Sequence, residues 1–357
     1  MRELVGEPLS AHTTMRVGGA AERFVVAETT DEIVDVVREV DDAQEPLLVL
    51  GGGSNLVVAD VGFAGTVVQV ATRGVRVDSN RGDGVCVRVA AGEVWDDIVA
   101  RAVAEGWSGI EALSGVPGST GATPVQNVGA YGQEVSQSLT EVLVWDRHEQ
   151  RVRTLSPPQC QFTYRHSIFK ASDRHVVLDV TFVLSRGSMS QPIGYADLAR
   201  ELGVALGEPV PLEQAREAVL TQRRLRGMVL DAADHDTWSC GSFFTNPVLG
   251  HEEFAILQER VLDRLGEAGT TLPQFADAAG NVKTSAAWLI DRAGFGKGFG
   301  LPGPAALSTK HSLAVTNRGS ARASDVLALA RTVRDGVQSA FGITLVNEPV
   351  LVGEERL

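Results

Sequence analysis

Two glycine-rich segments are the part of this sequence best suited to binding a phosphate-bearing ligand. GGGSNL at 51–56 follows the apolar run PLLVL, and SGVPGSTGATPVQNVGAYG at 114–132 contains five glycines and two prolines without periodicity. Because glycine has no Cβ, its backbone N–H groups can come close to a phosphate. Either segment alone also fits a tight structural turn, but the two together predict a site for a long dinucleotide.

The first segment does not fit the dinucleotide fingerprint of a Rossmann fold. That fingerprint has a third glycine where this chain has Leu56, and it runs into a helix. Here the residues LVVAD that follow the glycines have the pattern of a short strand. We therefore reject the Rossmann interpretation and expect a glycine-rich turn between two strands.

The composition of the chain excludes several classes of protein. Its 357 residues are enough for roughly two domains at about 150 residues each. With 32 Lys+Arg against 45 Asp+Glu, the formal net charge of −13 argues against nucleic acid or an anionic membrane as the main partner. The sequence has neither a signal-peptide pattern nor a membrane-spanning apolar run, so we expect a cytoplasmic protein.

The cysteine and histidine patterns predict neither a disulfide framework nor a metal site. Cys86, Cys160 and Cys240 are far apart and form no CxxC pair, so we interpret them as small buried hydrophobic residues. The seven histidines are scattered, without an HxxxH or HExxH pattern.

Hydrophobic periodicity predicts a mixed α/β first part followed by a lobe rich in helices. Strands are expected at 23–28, 46–50, 65–71, 141–146, 151–155 and 176–184. Helices are expected from Thr30 onward, at 95–105 and, within the second lobe, at 211–225, 251–266, 284–293 and 323–341. The apolar segment ITLVNEPVLV is expected to form a closing strand, on either lobe.

Seven segments, in this order along the chain, resemble motifs of the MurB family, the UDP-N-acetylenolpyruvoylglucosamine reductases. They are TTMRVGGAAE at 13–22, LVLGGGSNLVV at 48–58, SGVPGSTGATPVQNVGAYG at 114–132, TYRHSIFK at 163–170, GSFFTNP at 241–247, AAWLIDRAG at 286–294 and NEPV at 347–350. The GYAD segment around Tyr195 resembles the type I branch of that family. The resemblance extends over nearly the whole chain.

The resemblance implies an α+β protein with a two-subdomain FAD-binding fold of the PCMH, or vanillyl-alcohol-oxidase, type. On this interpretation the FAD-binding domain spans 1–218, with subdomains of about 1–73 and 74–218, and a C-terminal α+β substrate-binding lobe spans 219–357. It also implies an NADPH-dependent reduction of UDP-N-acetylglucosamine enolpyruvate to UDP-N-acetylmuramate in peptidoglycan synthesis. FAD is the implied cofactor and NADPH the implied co-substrate.

The resemblance assigns the cofactor to the glycine segments. The implied FAD-binding residues are Gly51, Gly52, Gly53, Ser54, Asn55, Ser114, Gly115, Gly118, Ser119, Gly121, Gln126, Asn127 and Gly129.

Three residues match the family's catalytic positions. Arg165 lies in the YR-x-S motif, and a planar guanidinium can hold the substrate carboxylate in a bidentate pair. Ser242 in GSFF matches the family's general acid, which protonates C2 of the substrate. Glu348 in NEPV matches a carboxyl group that we expect to stay protonated and to donate a hydrogen bond to the developing enolate. We interpret Glu354 and Glu355 as ordinary tail carboxylates.

Tyr131, Tyr195 and Asn246 match residues that contact the nucleotide diphosphate and sugar, and His311 is a further candidate for a flavin or substrate contact. The chain departs from the type I pattern in one place, since Met228 stands where a lysine for the diphosphate is expected. The basic run at 223–226 offers Arg223, Arg224 or Arg226 as its substitute.

Two alternative functions remain open at this point. The chain could be another flavin oxidase or dehydrogenase of the same fold, or a non-catalytic protein that binds flavin or a nucleotide sugar. The set of Arg165, Ser242 and Glu348 favours the reductase, because an oxidase has no enolate to hold and protonate. We expect a monomer whose partner is a small nucleotide sugar rather than nucleic acid or a membrane.

Overall fold

The structure is a computed structural model that describes residues 1–81, 84–266, 271–276, 280–353 and 357. Glu354 and Glu355 lie outside the described residues. The chain divides into two compact units. The first unit contains residues 1–8, 20–53 and 63–229, and the second contains residues 9–19, 54–62 and 230–357.

The first unit contains a four-stranded sheet in the order β1–β2–β5–β3. Its strands are β1 (Arg2–Val5), β2 (Ala21–Ala27), β3 (Leu47–Leu50) and β5 (Phe63–Val70). Strands β2, β5 and β3 run parallel, and β1 is antiparallel to β2. Helix α1 (Thr30–Ala43) connects β2 to β3, and the Thr29 side chain caps it by accepting a hydrogen bond from the Glu32 N–H. The helix buries its apolar face in the core of the unit, as its spacing predicts.

A second, antiparallel sheet completes the core of the first unit. Its order is β12–β11–β13–β7–β6, with β8 pairing separately with β13. The strands are β6 (Val75–Arg81), β7 (Gly84–Ala90), β8 (Trp107–Ser108), β11 (Leu139–Asp146), β12 (Arg151–Leu155) and β13 (His175–Arg186). Helix α2 (Trp95–Ala104) buries Trp95 against Phe182 of β13, with the ring centroids 5.6 Å apart. After α2 the chain continues through β8 and a 3-10 helix at Glu111–Leu113 into the second glycine segment.

Short elements shape the remainder of the first unit. They are the hairpin strands β9 (Gly129–Ala130) and β10 (Gln133–Glu134), helices α3 (Pro157–Cys160), α4 (Ala196–Leu202) and α5 (Leu212–Leu225), and 3-10 helices at Glu111–Leu113, Thr120–Ala122 and Val135–Gln137. The sequence interpretation missed α4. It also placed the helix at 211–225 in the second lobe, which is wrong, because α5 packs with α4 in a small core that includes Ile193, Leu198 and Val219. The functional boundary at 218, which falls inside α5, stays a prediction.

In its described part, the second unit is assembled from short strands and from α-helices of 7 to 19 residues. Its strands are β4 (Leu56–Val58), β14 (Val248–Leu249), β15 (Phe275–Ala276), β16 (Val282–Lys283), β17 (Ala305–Leu307), β18 (Val315–Asn317) and β19 (Val350–Val352). Its helices are α6 (His251–Leu265), α7 (Ala286–Arg292) and α8 (Ala323–Phe341), with 3-10 helices at Leu9–His12 and His235–Thr237. Helices α6, α7 and α8 were all predicted within two residues of these bounds.

Strand β19 pairs in parallel with β4, and both belong to the second unit. The predicted closing strand is therefore shorter than the segment at 343–352, and its partner, which the sequence left open, comes from the first sixty residues. The core around this pair contains Met15, Val57 and Phe243. Among the described residues, no helix is both long and apolar enough to cross a membrane.

Candidate active site

The glycines of the two segments lie against each other within the first unit. A Cβ built on Gly52 would lie 2.7 Å from the Cα of Gly118, and one built on Gly51 would overlap the Ser119 hydroxyl. Since the obstacle at Gly52 is backbone, only glycine permits this approach. Gly53 and Gly118 have φ angles of +60° and +111°, which also favour glycine. The fold thus brings the two segments into direct contact.

The beginning of the second segment is anchored by side chains. The Ser114 hydroxyl donates to the Glu111 carbonyl at 2.6 Å, and the Gly115 N–H donates to Asp96 Oδ1 at 2.6 Å. Asp96 also accepts two hydrogen bonds from Arg216, at 2.7 and 2.9 Å. Although burial opposes it, hydrogen bonding to Arg216 and Gly115 lowers the pKa of Asp96, so the carboxylate stays ionised.

Two of the predicted cofactor residues, Gly121 and Asn127, form hydrogen bonds to other parts of the protein. The Gly121 N–H donates to the Ala91 carbonyl at 2.8 Å. The buried Asn127 amide donates to Glu134 Oε2 at 2.8 Å, and its oxygen accepts from the Ser136 N–H at 3.2 Å. These groups fix the shape of the loop, whereas the sequence suggested that its N–H and amide groups would face a ligand.

Arg165 is tied to the end of the second glycine segment. Its Nη2 donates to the Gly129 carbonyl at 2.7 Å, and its φ of +54° lies in the left-handed region. The fully buried Ser167 of the same YR-x-S motif donates to the Val125 carbonyl at 2.7 Å. Sequence reasoning did not assign a role to Ser167, although its place in the motif was visible. The motif therefore attaches Arg165 to the glycine loop at two points.

Tyr131 and Tyr195 are brought together although they are 64 residues apart in the sequence. Their ring centroids are 5.4 Å apart in an edge-to-face arrangement. The Tyr131 hydroxyl accepts a long hydrogen bond of 3.5 Å from Arg226 Nη1. Burial raises the pKa of Tyr131 despite the nearby positive charge of Arg223 and Arg226, so its hydroxyl stays protonated at neutral pH.

The three arginines of the basic run at 223–226, at the C-terminal end of α5, have different environments. Arg224 is exposed and pairs with Glu217 at 2.8 Å. The Arg223 Nη2 donates to the Met228 carbonyl at 2.8 Å, while its buried Nε has no partner among the described residues. Burial lowers the pKa of Arg223. Arg226 alone of the three is hydrogen-bonded to the tyrosine pair, as far as the described residues show.

In the second unit, the segment that contains Ser242 is paired with the segment that contains Glu348. The Glu348 N–H donates to the Phe243 carbonyl at 2.9 Å, and Phe244 forms an antiparallel bridge with Asn347. Two predicted catalytic residues more than a hundred positions apart therefore lie on adjacent extended segments. The buried rings of Phe243 and Phe244 pack against each other, with centroids 5.2 Å apart and an interplanar angle of 66°.

Asn55 and the N-terminal TTMRVGG motif hold the same region of the second unit. The Asn55 amide donates to the Glu348 carbonyl at 3.3 Å. The Thr14 hydroxyl donates to the Ser239 carbonyl at 2.7 Å and lies 3.4 Å from the Ser54 carbonyl. These contacts join Ser54 and Asn55, both of the second unit, to the residues that precede Ser242 and to the NEPV segment.

Asn246 and His311 occupy structural positions as well. The Asn246 side-chain oxygen accepts from the Ala286 N–H at 3.0 Å, at the first turn of α7. The His311 N–H donates to the Ser308 hydroxyl at 3.2 Å, which shapes the turn before β18. Neither observation assigns a ligand contact.

The three cysteines are free thiols. Cys160 and Cys240 are buried, as predicted, and Cys86 is half-buried. Burial raises the pKa of Cys160 to about 11 and that of Cys240 to about 12, so both stay protonated at neutral pH. Within the described part of the chain, no group of three or more His, Cys, Asp or Glu side chains could hold a metal ion.

Two family models match the chain. The model described as the UDP-N-acetylenolpyruvoylglucosamine reductase C-terminal domain matches residues 232–352, and a model of an FAD binding domain matches residues 21–155. The first of these matches lies within the second compact unit, and most of the second lies within the first unit.

Curated relatives match nearly the full length. A UDP-N-acetylenolpyruvoylglucosamine reductase of Thermobifida fusca is 58% identical over 97% of this chain and 97% of its own. One of Streptomyces coelicolor is 56% identical over 99% of this chain and 91% of its own. A crystal structure of the reductase (MurB) from Thermus caldophilus is similar in fold, with a TM-score of 0.65 at 24% identity and 98% coverage of both chains. The expected FAD-binding domain and the expected likeness in fold to this family are confirmed.

Proposed function

This chain belongs to the family of UDP-N-acetylenolpyruvoylglucosamine reductases, and we infer that it reduces UDP-N-acetylglucosamine enolpyruvate to UDP-N-acetylmuramate with NADPH. The observation that carries this conclusion is the match of more than half of all residues over nearly the full length of named relatives. The reaction is a step of peptidoglycan synthesis. FAD, when bound, supplies the chemistry by taking electrons from NADPH and delivering hydride to C3 of the enolpyruvyl group.

The match to an FAD binding domain at residues 21–155 contains both glycine segments. A Cβ at Gly52 would meet the Gly118 backbone, so the close packing of the two segments requires glycine. The predicted cofactor residues in this contact are Gly51, Gly52, Gly118 and Ser119. We propose that the dinucleotide binds along these two segments.

We propose that Arg165 binds the substrate carboxylate. Its Nη2 donates to the Gly129 carbonyl at 2.7 Å, which anchors one edge of the guanidinium beside the glycine loop. A guanidinium stays charged at every physiological pH and can pair with both carboxylate oxygens. As hydride arrives at C3, negative charge grows on C2 and its carboxylate, and a preorganised cation stabilises that charge best.

We propose that Ser242 donates the proton that C2 receives after hydride transfer, and that Glu348 donates a hydrogen bond to the enolate. The C=C bond becomes a single bond, because C3 has gained the hydride and C2 the proton. NADPH leaves as NADP⁺. The backbone hydrogen bond from Glu348 to Phe243 supports this proposal, because it places Ser242 and Glu348 on adjacent segments.

We propose that Tyr131, Tyr195 and Arg226 contact the nucleotide diphosphate or sugar. Arg226 replaces the lysine that the type I pattern has near Met228, because it reaches the Tyr131 hydroxyl while Arg224 is exposed and paired with Glu217. Asn246 stays a candidate for the same ligand. A monomer in the cytoplasm stays our expectation; light scattering should give a mass near 37.9 kDa.

An anaerobic flavin experiment tests the function. The purified yellow protein is reduced with NADPH, enolpyruvyl-UDP-N-acetylglucosamine is added, and the flavin absorbance is followed. Return of the oxidised spectrum confirms donor, cofactor and acceptor together. A flavin that stays reduced would favour another oxidoreductase of the same fold, and absence of bound flavin would contradict the role of the glycine segments.

A further inference from the structure

A buried carboxylate that the proposed reaction does not use lies in the first unit. Glu111 is 2% exposed and sits at the start of a 3-10 helix just before the second glycine segment. Its Oε2 accepts from the Gly109 N–H at 2.6 Å. Its Oε1 accepts from the Gln191 N–H at 2.6 Å and from Gln133 Nε2 at 3.0 Å. Three donors from three segments thus converge on one side chain.

The donors of Glu111 come from the segments that carry the tyrosine pair. Gln133 follows Tyr131 by two residues in the β9–β10 hairpin, and Gln191 precedes Tyr195 by four. The Gln133 side-chain oxygen also accepts from the Ala112 N–H at 2.8 Å, so hairpin and 3-10 helix are joined in both directions. A change at Glu111 would therefore be felt at both tyrosines.

The two segments also meet directly at a pair of glycines. A Cβ built on Gly132 would lie 3.1 Å from the carbonyl carbon of Gly194, so the backbones approach without side chains between them. In each segment, this glycine lies in the sequence between the tyrosine and the glutamine that donates to Glu111. The Glu111 contacts and the glycine contact together set the distance between the two tyrosine rings.

All three partners of Glu111 are donors, so the site requires a side chain that only accepts. An ionised carboxylate meets this requirement, and an amide does not, because its NH₂ group would face an N–H donor. A buried donor left without a partner is costly, and the hairpin or the Gln191 segment would shift to relieve it. The carboxylate therefore fixes the relative placement of the two segments.

We propose that Glu111 is a positioning residue for nucleotide-sugar binding, which acts by holding Tyr131 and Tyr195 in their edge-to-face arrangement. The proposal rests on the proposed function of those two tyrosines. Glu111 itself does not touch the ligand. Its effect belongs to substrate affinity and not to the chemical step.

The test compares Glu111→Gln with Asp146→Asn in the FAD-loaded enzyme. Asp146 is a matched control, because it is a fully buried carboxylate of the same unit whose partners are Arg174 and Arg153. For Glu111→Gln we expect the Kd of enolpyruvyl-UDP-N-acetylglucosamine, measured from the flavin spectrum, to rise about tenfold with kcat and FAD content unchanged. Asp146→Asn should lower the melting temperature and leave that Kd unchanged. An unchanged Kd in Glu111→Gln overturns the proposal.

A double-mutant cycle with Tyr195→Ala separates the positioning role of Glu111 from the proposed binding role of the two tyrosines. If Tyr195→Ala weakens binding and Glu111→Gln adds little to it, Glu111 acts through the tyrosine. If the two effects add fully, the positioning role is wrong. If Tyr195→Ala and Tyr131→Ala both leave the Kd unchanged, the proposed tyrosine site fails and this inference fails with it.

A milder variant serves if Glu111→Gln does not fold. Gln133→Met removes one donor of Glu111 and keeps both backbone donors. We expect it to raise the same Kd about threefold, with unchanged kcat. A fall in melting temperature with no change in Kd would again overturn the proposal.

Discussion

Ser242 precedes Phe243, whose backbone is hydrogen-bonded to two other segments of the chain. Phe243 donates to the Leu313 carbonyl at 2.8 Å and accepts from the Glu348 N–H at 2.9 Å. Because neighbouring backbone bonds hold this segment, Ser242→Ala should keep the fold and remove only the hydroxyl.

We expect Ser242→Ala to leave flavin reduction by NADPH intact and to slow flavin reoxidation by substrate by about 10²- to 10⁴-fold. Stopped-flow absorbance measures the two half-reactions separately. Equal losses in both half-reactions would contradict a role for Ser242 as the acid.

Arg226 provides a second prediction for a single side chain. We expect Arg226→Ala to raise the KM for the nucleotide sugar about 10- to 100-fold, because a charged hydrogen-bond donor is lost. Arg224→Ala is the matched control, two residues away in the last turn of α5, since Arg224 is exposed and pairs only with Glu217 among its described contacts. Steady-state kinetics distinguishes them, and equal effects in both variants would show that the contribution is general positive charge.

The contact between glycine segments makes a prediction about an element rather than a side chain. Gly52→Ala places a methyl group 2.7 Å from the Gly118 Cα, so one segment must move. We expect the Kd for FAD to rise about 10- to 100-fold. Gly296→Ala is the control, because a Cβ there meets nothing within 4 Å. Titration of the apoprotein with FAD measures both, and an unchanged Kd in Gly52→Ala would show that the segments do not hold the dinucleotide.

The turn between β11 and β12 is stabilised by a charge network that should respond to pH. Arg174 and the Glu149 N–H, with Arg153, hold the pKa of the fully buried Asp146 far below its usual range, although burial opposes them. A lowered pKa in the folded state means that this stabilisation is complete above about pH 4, and it is lost as the pH falls further.

We expect Asp146→Asn to lower the free energy of unfolding by about 2 kcal/mol at pH 7, a modest figure because both guanidinium groups are partly solvated. The difference from the unmodified protein should shrink below pH 4. Urea unfolding at pH 7 and pH 3 measures it. The same difference at both values would contradict this linkage.

Local patterns predicted the regular elements well and missed contacts between distant segments. The spacing of apolar residues was enough for α1 and α8, because one face of each helix is buried. Helix α4 was missed, since its buried residues are only Leu198 and Ala199, which are adjacent and show no helical period. The family motifs nominated Arg165 and Ser242, but nothing local indicates that Glu111 accepts from Gln191, 80 positions away.

At the scale of the whole molecule, the chain passes between the two units five times. The second unit therefore depends on residues 9–19 and 54–62. Without them, residues 230–357 lack strand β4, which pairs with β19, and they lack Met15 and Val57 of the core. We expect a fragment of residues 230–357 to remain unfolded, as judged by near-UV circular dichroism.

The matching control is the full chain with a protease site inserted between residues 229 and 230. After cleavage, all parts of the second unit are still present, so the nicked protein should keep its spectrum and melt cooperatively. A fragment of residues 230–357 that shows a native spectrum by itself would contradict this dependence.

The pairing of β4 with β19 also has a consequence for synthesis of the protein in the cell. About 300 residues separate the two strands, so at roughly 5–20 residues per second the ribosome makes β19 some 15 to 60 s after β4. During that interval the first unit can complete its sheets, while Leu56–Val58 waits with an unpaired edge. The second unit is thus completed late, since β4 stays unpaired until β19 has been made, and during that time Leu56–Val58 is a strand edge that can pair with other chains.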